Sequence, residues 1–164
     1  MKLSLKHIAD NGIVIAAYIA LTFLTYPIAF GAIQFRVAEM LIFLCFFRKD
    51  FIFGLTLGCL ISNFASFNPV DILFGTLATV LACLCVIFSK HMFIGIIAPT
   101  LFNAFIIGAE LYFVLHEPFW LSVLTVGLGE CAVLILGYIL FRNIGKKKWF
   151  LEFIKANQNL DFKI

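Results

Sequence analysis

Long apolar runs constrain this chain more than any other feature of its sequence. Six stand out: Ile13 to Ala29, Val37 to Phe47, Phe51 to Phe67, Val70 to Ser89, Met92 to Leu115 and Phe119 to Phe141. A run of about 20 apolar residues crosses the bilayer core as a helix, because a helix satisfies every backbone N–H and C=O internally where no water can. The second run is short. It reaches spanning length only if it begins near Gln34, so either the bilayer is thin there or the helix is enclosed by protein. The first run follows Lys2 and Lys6, as a signal peptide would, yet is longer than the usual apolar region of one. Only 13% of the residues are charged, against about a quarter in a soluble domain. The expected fold is an all-α integral membrane bundle of six transmembrane helices.

The charges orient that bundle. With six spans and both ends on one side, every Lys and Arg except Arg36 falls on the side of the termini. Cations concentrate on the cytoplasmic side of membrane proteins, so the N- and C-termini are expected there. The acids divide differently. Asp10, Asp50, Glu152 and Asp161 accompany the cations, whereas Glu39, Asp71, Glu110, Glu117 and Glu130 fall in the outer half or the middle of the membrane region. A carboxylate at such depth costs at least a few kcal/mol unless paired or hydrated, so it usually faces a cavity.

Each of these acids also has a purely structural reading. Asn68-Pro69 followed by Asp71 makes an ordinary helix start, with Asn as N-cap and Pro at the first helical position. Arg36 and Glu39, three apart, suit a helical ion pair. Glu117 stands in a His116-Glu117-Pro118 turn. Glu110 lies two helical turns beyond Asn103, on the same face and about 10 Å away. Glu130 sits near mid-membrane, with Gly127 and Gly129 beside it. Glu110 and Glu130 are the strongest cavity candidates.

Other chemistry is poorly supported. No phosphate-binding glycine loop occurs, so energy is expected from elsewhere. Cys45, Cys59, Cys83, Cys85 and Cys131 read as small apolar residues, and His7, His91 and His116 are too scattered for a zinc site or a nucleophile with its base. No cofactor, metal or nucleic-acid partner is implied. Small residues recur at Gly12, Ala16 and Ala20, at Gly54 and Gly58, and at Ala78 and Ala82, where helices could approach closely. Residues 1–142 read as the membrane domain, and 143–164 as a cytoplasmic amphipathic tail with Lys146, Lys147 and Lys148 beside Trp149, Phe150, Phe153 and Ile154.

Specific strings then point to a family. Gly31 to Glu39 (GAIQFRVAE) resembles the signature of the QueT family, the queuosine-precursor substrate-binding components of energy-coupling factor transporters. Similar matches are Gly54 to Asn63 (GLTLGCLISN), Asn68 to Ala78 (NPVDILFGTLA), Pro99 to Glu110 (PTLFNAFIIGAE) and Gly129-Glu130. The tail after Arg142 lies outside this resemblance.

The resemblance implies a six-helix substrate-binding component, energised by a separate membrane coupling protein and two ABC ATPases. Its contact with the coupling protein would fall on Ala16 and Ala20. The implied substrate is a 7-substituted 7-deazaguanine, most typically 7-aminomethyl-7-deazaguanine, whose N–H edge and ammonium suit carboxylates. Glu110 or Glu130 would accept from the guanine edge, the other would pair the ammonium, and Asn103 would bond the base carbonyl. Gln34, Arg36 and Glu39 would form a lid, with Asn63 and Asp71 on the opposite wall. Rival readings are a substrate component for another vitamin or purine-like base, and, in another class, a self-sufficient carrier or small membrane enzyme.

Overall fold

The computed structural model describes residues 5–29, 34–66 and 69–157. In chain order it contains α1 (Leu5–Leu24), α2 (Tyr26–Ala29), a 3₁₀ helix (Val37–Phe43), α3 (Leu44–Phe47), α4 (Phe51–Asn63), α5 (Asp71–Phe88), α6 (Ile94–Leu115), α7 (Phe119–Ile144) and α8 (Lys148–Phe153). Among the described residues there is no strand.

Four helices, α1, α5, α6 and α7, are long and apolar enough to cross a membrane. The other two expected spans fall short of that length among the described residues. Val37–Phe47 and Phe51–Asn63 are shorter apolar helices. At about 2.0 Å per 3₁₀ residue and 1.5 Å per α residue, each advances only about 20 Å against a core of about 30 Å. Burial explains how the first of them is accommodated. Ile42, Phe43, Cys45, Phe46 and Phe47 are fully enclosed, so protein rather than lipid surrounds this segment. Phe43 lies against Gly95 of α6 and Gly137 of α7, where an added Cβ would come within 2.5 Å and 3.1 Å of its ring.

Local chemistry sets the breaks. Pro27 has no N–H to offer Phe23, so α1 stops at Leu24 and α2 restarts after Thr25, whose hydroxyl donates to the Leu21 carbonyl at 2.8 Å. His116 ends α6 in the left-handed conformation, φ 57°, and Pro118 opens α7. The Asn68 N-cap reading lies outside the described residues, whereas Asp71 does occupy the first turn of α5.

α1 has two dissimilar faces. Asn11, Val14, Tyr18 and Thr22 are buried, the first three against α4. A Cβ at Gly54 would lie 2.8 Å from Asn11 Oδ1, and one at Gly58 would lie 2.8 Å from Tyr18 Cβ, so those glycines are what let the two helices meet. The Gly12, Ala16 and Ala20 stripe faces the other way and is exposed. A Cβ at Gly12 would touch nothing within 4 Å. A Cβ at Gly127 would lie 3.2 Å from Ala104 Cβ of α6, so this glycine serves a close helix contact.

At the opposite end of α1 from Thr22, the chain is tied by Arg48, which is only 1% exposed. Its Nε and Nη2 donate to the two oxygens of Asp50 at 2.7 and 2.6 Å, and its Nη1 donates to Asp10 at 2.9 Å and to the Ile154 carbonyl at 2.8 Å. Phe51 stacks under the guanidinium at 4.2 Å. Lys155 also donates to Asp10, and the Asn157 N–H donates to the Phe47 carbonyl. Phe150 packs edge-on against Phe47 with ring centres 5.6 Å apart. The segment 148–157 therefore straps the start of α1 and the α3–α4 corner together, while Trp149 and Phe153 remain exposed.

Candidate functional site

The buried polar side chains of the membrane region are not scattered. Arg36, just before the 3₁₀ helix, reaches Asp71 at the head of α5 with a 2.6 Å ion pair in which both side chains are less than a tenth exposed. The i,i+3 spacing suggested Glu39 as its partner, but the hydrogen-bonded pair is with the acid 35 residues away. Glu39 is fully buried and engaged elsewhere. Its Oε1 accepts from the Tyr18 hydroxyl at 2.5 Å and from the Thr79 hydroxyl at 2.8 Å.

Asn63, at the end of α4, joins the group by donating to the Asp71 carbonyl at 3.1 Å and to Cys59 Sγ at 3.4 Å. Gly75 makes the arrangement possible. A Cβ there would lie 2.6 Å from Asn63 Nδ2, 2.7 Å from Asp71 Oδ1 and 2.9 Å from Arg36 Nη1, so a larger residue would displace these side chains. A narrow cleft with room for about one water molecule opens beside this cluster and is lined by Tyr18, Thr22, Arg36 and Asn63 among others.

Glu130 adjoins it, and Asn103, Glu110 and Gln34 are buried as well. Glu130 of α7 is 1% exposed and lies within electrostatic reach of Glu39 and Arg36, with Asn103 of α6 beside it. Gln34 is also buried, and its Oε1 has no hydrogen-bond partner among the described residues. Glu110 is buried on α6 on the same side as Asn103. Glu117 is exposed in its turn. Arg36, Asp71, Asn63 and Glu39 thus belong to one continuous cluster, linked through Cys59 and Thr79.

Sequence reasoning missed three members. Tyr18 and Thr79 hold Glu39, and Cys59, read as a small apolar residue, lies 3.2 Å from the Thr79 hydroxyl. The signal for Tyr18 was available in the Asn11, Tyr18, Thr22 polar spacing along one face of α1. Nothing comparable marks Cys59. Among the aromatics of the membrane region, Phe74, Tyr112 and Trp120 are exposed, whereas Tyr18 lines the cleft. Among the described residues no group of three His, Cys, Asp or Glu is placed to hold a metal ion.

An all-helical chain with several membrane-length helices and a buried, ion-paired polar cluster between them has the makings of a membrane protein that handles a polar ligand. The comparisons define it further. The family model described as QueT transporter matches residues 8–146. A relative named Queuosine precursor transporter QueT, from Lactococcus lactis subsp. cremoris (strain MG1363), is 38% identical over 156 residues, covering 85% of this chain and 92% of the relative. No solved structure matches. The chain belongs to the QueT transporter family, and it is a multi-pass protein of the cell membrane.

Proposed function

We propose that this protein imports a queuosine precursor, and that it does so as the substrate-binding component of an energy-coupling factor transporter. The Lactococcus relative carries the name of a queuosine precursor transporter, and the observation that most favours a binding role here is the buried Arg36–Asp71 pair beside the cleft. In this reading a 7-deazaguanine, with 7-aminomethyl-7-deazaguanine the leading compound, enters from outside and lies against Arg36, Asn63 and Asp71. Gln34 closes the mouth. Glu39, Asn103, Glu110 and Glu130 supply the deeper hydrogen-bonding groups.

The exposed face of α1 gives the coupling half of the proposal its physical basis. Ala16 and Ala20 leave a shallow groove that another helix can approach closely. We assign that groove to a membrane coupling protein driven by two ABC ATPases, with the termini and the 143–164 tail on the cytoplasmic side. Uptake of radiolabelled precursor tests it: vesicles holding the protein with its coupling protein and ATPases should accumulate substrate on addition of ATP. Accumulation by vesicles holding this chain alone would instead mark a self-sufficient carrier.

A further inference from the structure

We propose that the outward face of α8 binds anionic phospholipid headgroups, with Lys146, Lys147 and Lys148 meeting the phosphates while Trp149 and Phe153 sit at the acyl boundary. The apolar side chains of this segment point two ways. Phe150 and Ile154 are buried, and the ring centre of Phe150 lies 5.6 Å from that of Phe47 and 6.3 Å from that of Phe141. Trp149 and Phe153 stand four apart, on one helical face, and are 63% and 74% exposed. The three lysines just before Trp149 are exposed as well.

Helix α7 sets the depth of this face. Its 26 residues advance about 39 Å, against about 30 Å of hydrocarbon and about 40–45 Å with the headgroups included, so a helix of this length ends among the headgroups. Contact between Phe150 and Phe141, in the last turn of α7, folds α8 back to that level instead of letting it project away from the membrane. An indole, with an apolar body and a polar N–H, suits that layer. Charge then selects the lipid. Within 146–153 three lysines stand against one acid, Glu152, and ammonium groups at a membrane surface attract anionic headgroups. A soluble acidic partner would match the charge but not two aromatic rings held at headgroup depth. The inner side of the same segment is tied to the bundle, where Arg48 donates to the Ile154 carbonyl and Lys155 to Asp10. Lipid and bundle thus grip the segment from opposite faces, whatever ligand the Arg36–Asp71 cluster holds.

Trp120 and Trp149 are the two tryptophans of the chain, so the full-length Trp120→Phe variant reports on α8 alone. Its fluorescence is followed in liposomes of phosphatidylcholine and phosphatidylglycerol in which one or the other lipid, at equal content, is brominated near the headgroup end of its chains. Phosphatidylglycerol should be favoured beside Trp149 by about threefold or more at low salt, and the preference should shrink in about 0.5 M salt. The combined substitution Lys146→Gln, Lys147→Gln and Lys148→Gln should bring the preference to about onefold while phosphatidylcholine still quenches. The Trp149→Phe variant, which leaves the exposed Trp120 at the other end of α7, should show no preference. Equal quenching by the two lipids at Trp149, or a preference that the lysine substitutions leave intact, would overturn the lipid site. Absence of quenching by either lipid would turn the outward face of α8 away from the bilayer and toward a protein partner, and would overturn it too.

Discussion

Arg36 and Asp71 stand 35 residues apart in sequence and 2.6 Å apart in the fold, and their ion pair joins the entrance of the 3₁₀ helix to the first turn of α5. Removing one member leaves a buried charge without its counterpart. Arg36→Met and Asp71→Leu should each lower stability by about 3–5 kcal/mol, and the double substitution should be milder than either alone. Thermal unfolding in detergent of the two single variants and the double variant checks this. Additive losses would mean that the two side chains do not depend on each other.

Helix α1 offers a contrast between its faces. Gly58→Val should be destabilising by about 1–3 kcal/mol, because its side chain would collide with Tyr18. Ala16→Trp and Ala20→Trp lie on the exposed face and should shift stability by less than about 0.5 kcal/mol. If that face docks the coupling protein, the same two variants should retain ligand binding yet lose ATP-driven uptake. Normal uptake by both would displace the docking face from α1.

The Arg48 strap has its own consequences. Phe150→Ala should cost about 3–5 kcal/mol, since the ring is buried against Phe47 and Phe141. Cleavage by trypsin within 146–155 should become faster in that variant, because Lys146, Lys147, Lys148 and Lys155 are held in place by the docked segment. Unchanged proteolysis would show that the tail is not fastened there.

Acid should loosen the same end of the molecule. Burial alone would raise the Asp50 carboxyl, but the two hydrogen bonds and the charge of Arg48 outweigh it and hold the group below its ordinary value. A carboxyl lowered by folding contributes stability that is complete above its unfolded pKa, about 3.9, and is lost as pH falls through the folded value. The melting temperature of the unaltered protein should thus fall below about pH 4. Asp50→Asn should melt lower near neutral pH and show a shallower decline on acidification.

The four long helices were legible in the sequence because composition alone decides them. Val70 to Ser89 and Met92 to Leu115 were read within two residues of α5 and α6. The shortness of the Val37 to Phe47 run already left enclosure by protein open, and burial of Ile42, Phe43 and Phe46 agrees with it, but its 3₁₀ geometry was not legible from apolarity. Local spacing also pointed Arg36 toward Glu39, whereas the pairing with Asp71 depends on how α5 packs and on the missing side chain at Gly75. Tyr18 shows the remaining difficulty. Its hydroxyl bonds an acid 21 residues later, across a helix contact that only the fold creates.

The central claim is that a queuosine precursor binds in the cluster around Arg36, Glu39, Asn63 and Asp71. Titrating the purified protein with 7-aminomethyl-7-deazaguanine, alongside Asn63→Leu, Arg36→Gln and the exposed control Leu128→Ala, measures it directly. The expected result is saturable one-to-one binding that weakens about tenfold or more in the two cluster variants, through lost polar contacts to the ligand, and is unchanged in the control. Affinity that is equal in all four proteins, or absent from the unaltered one, would contradict it.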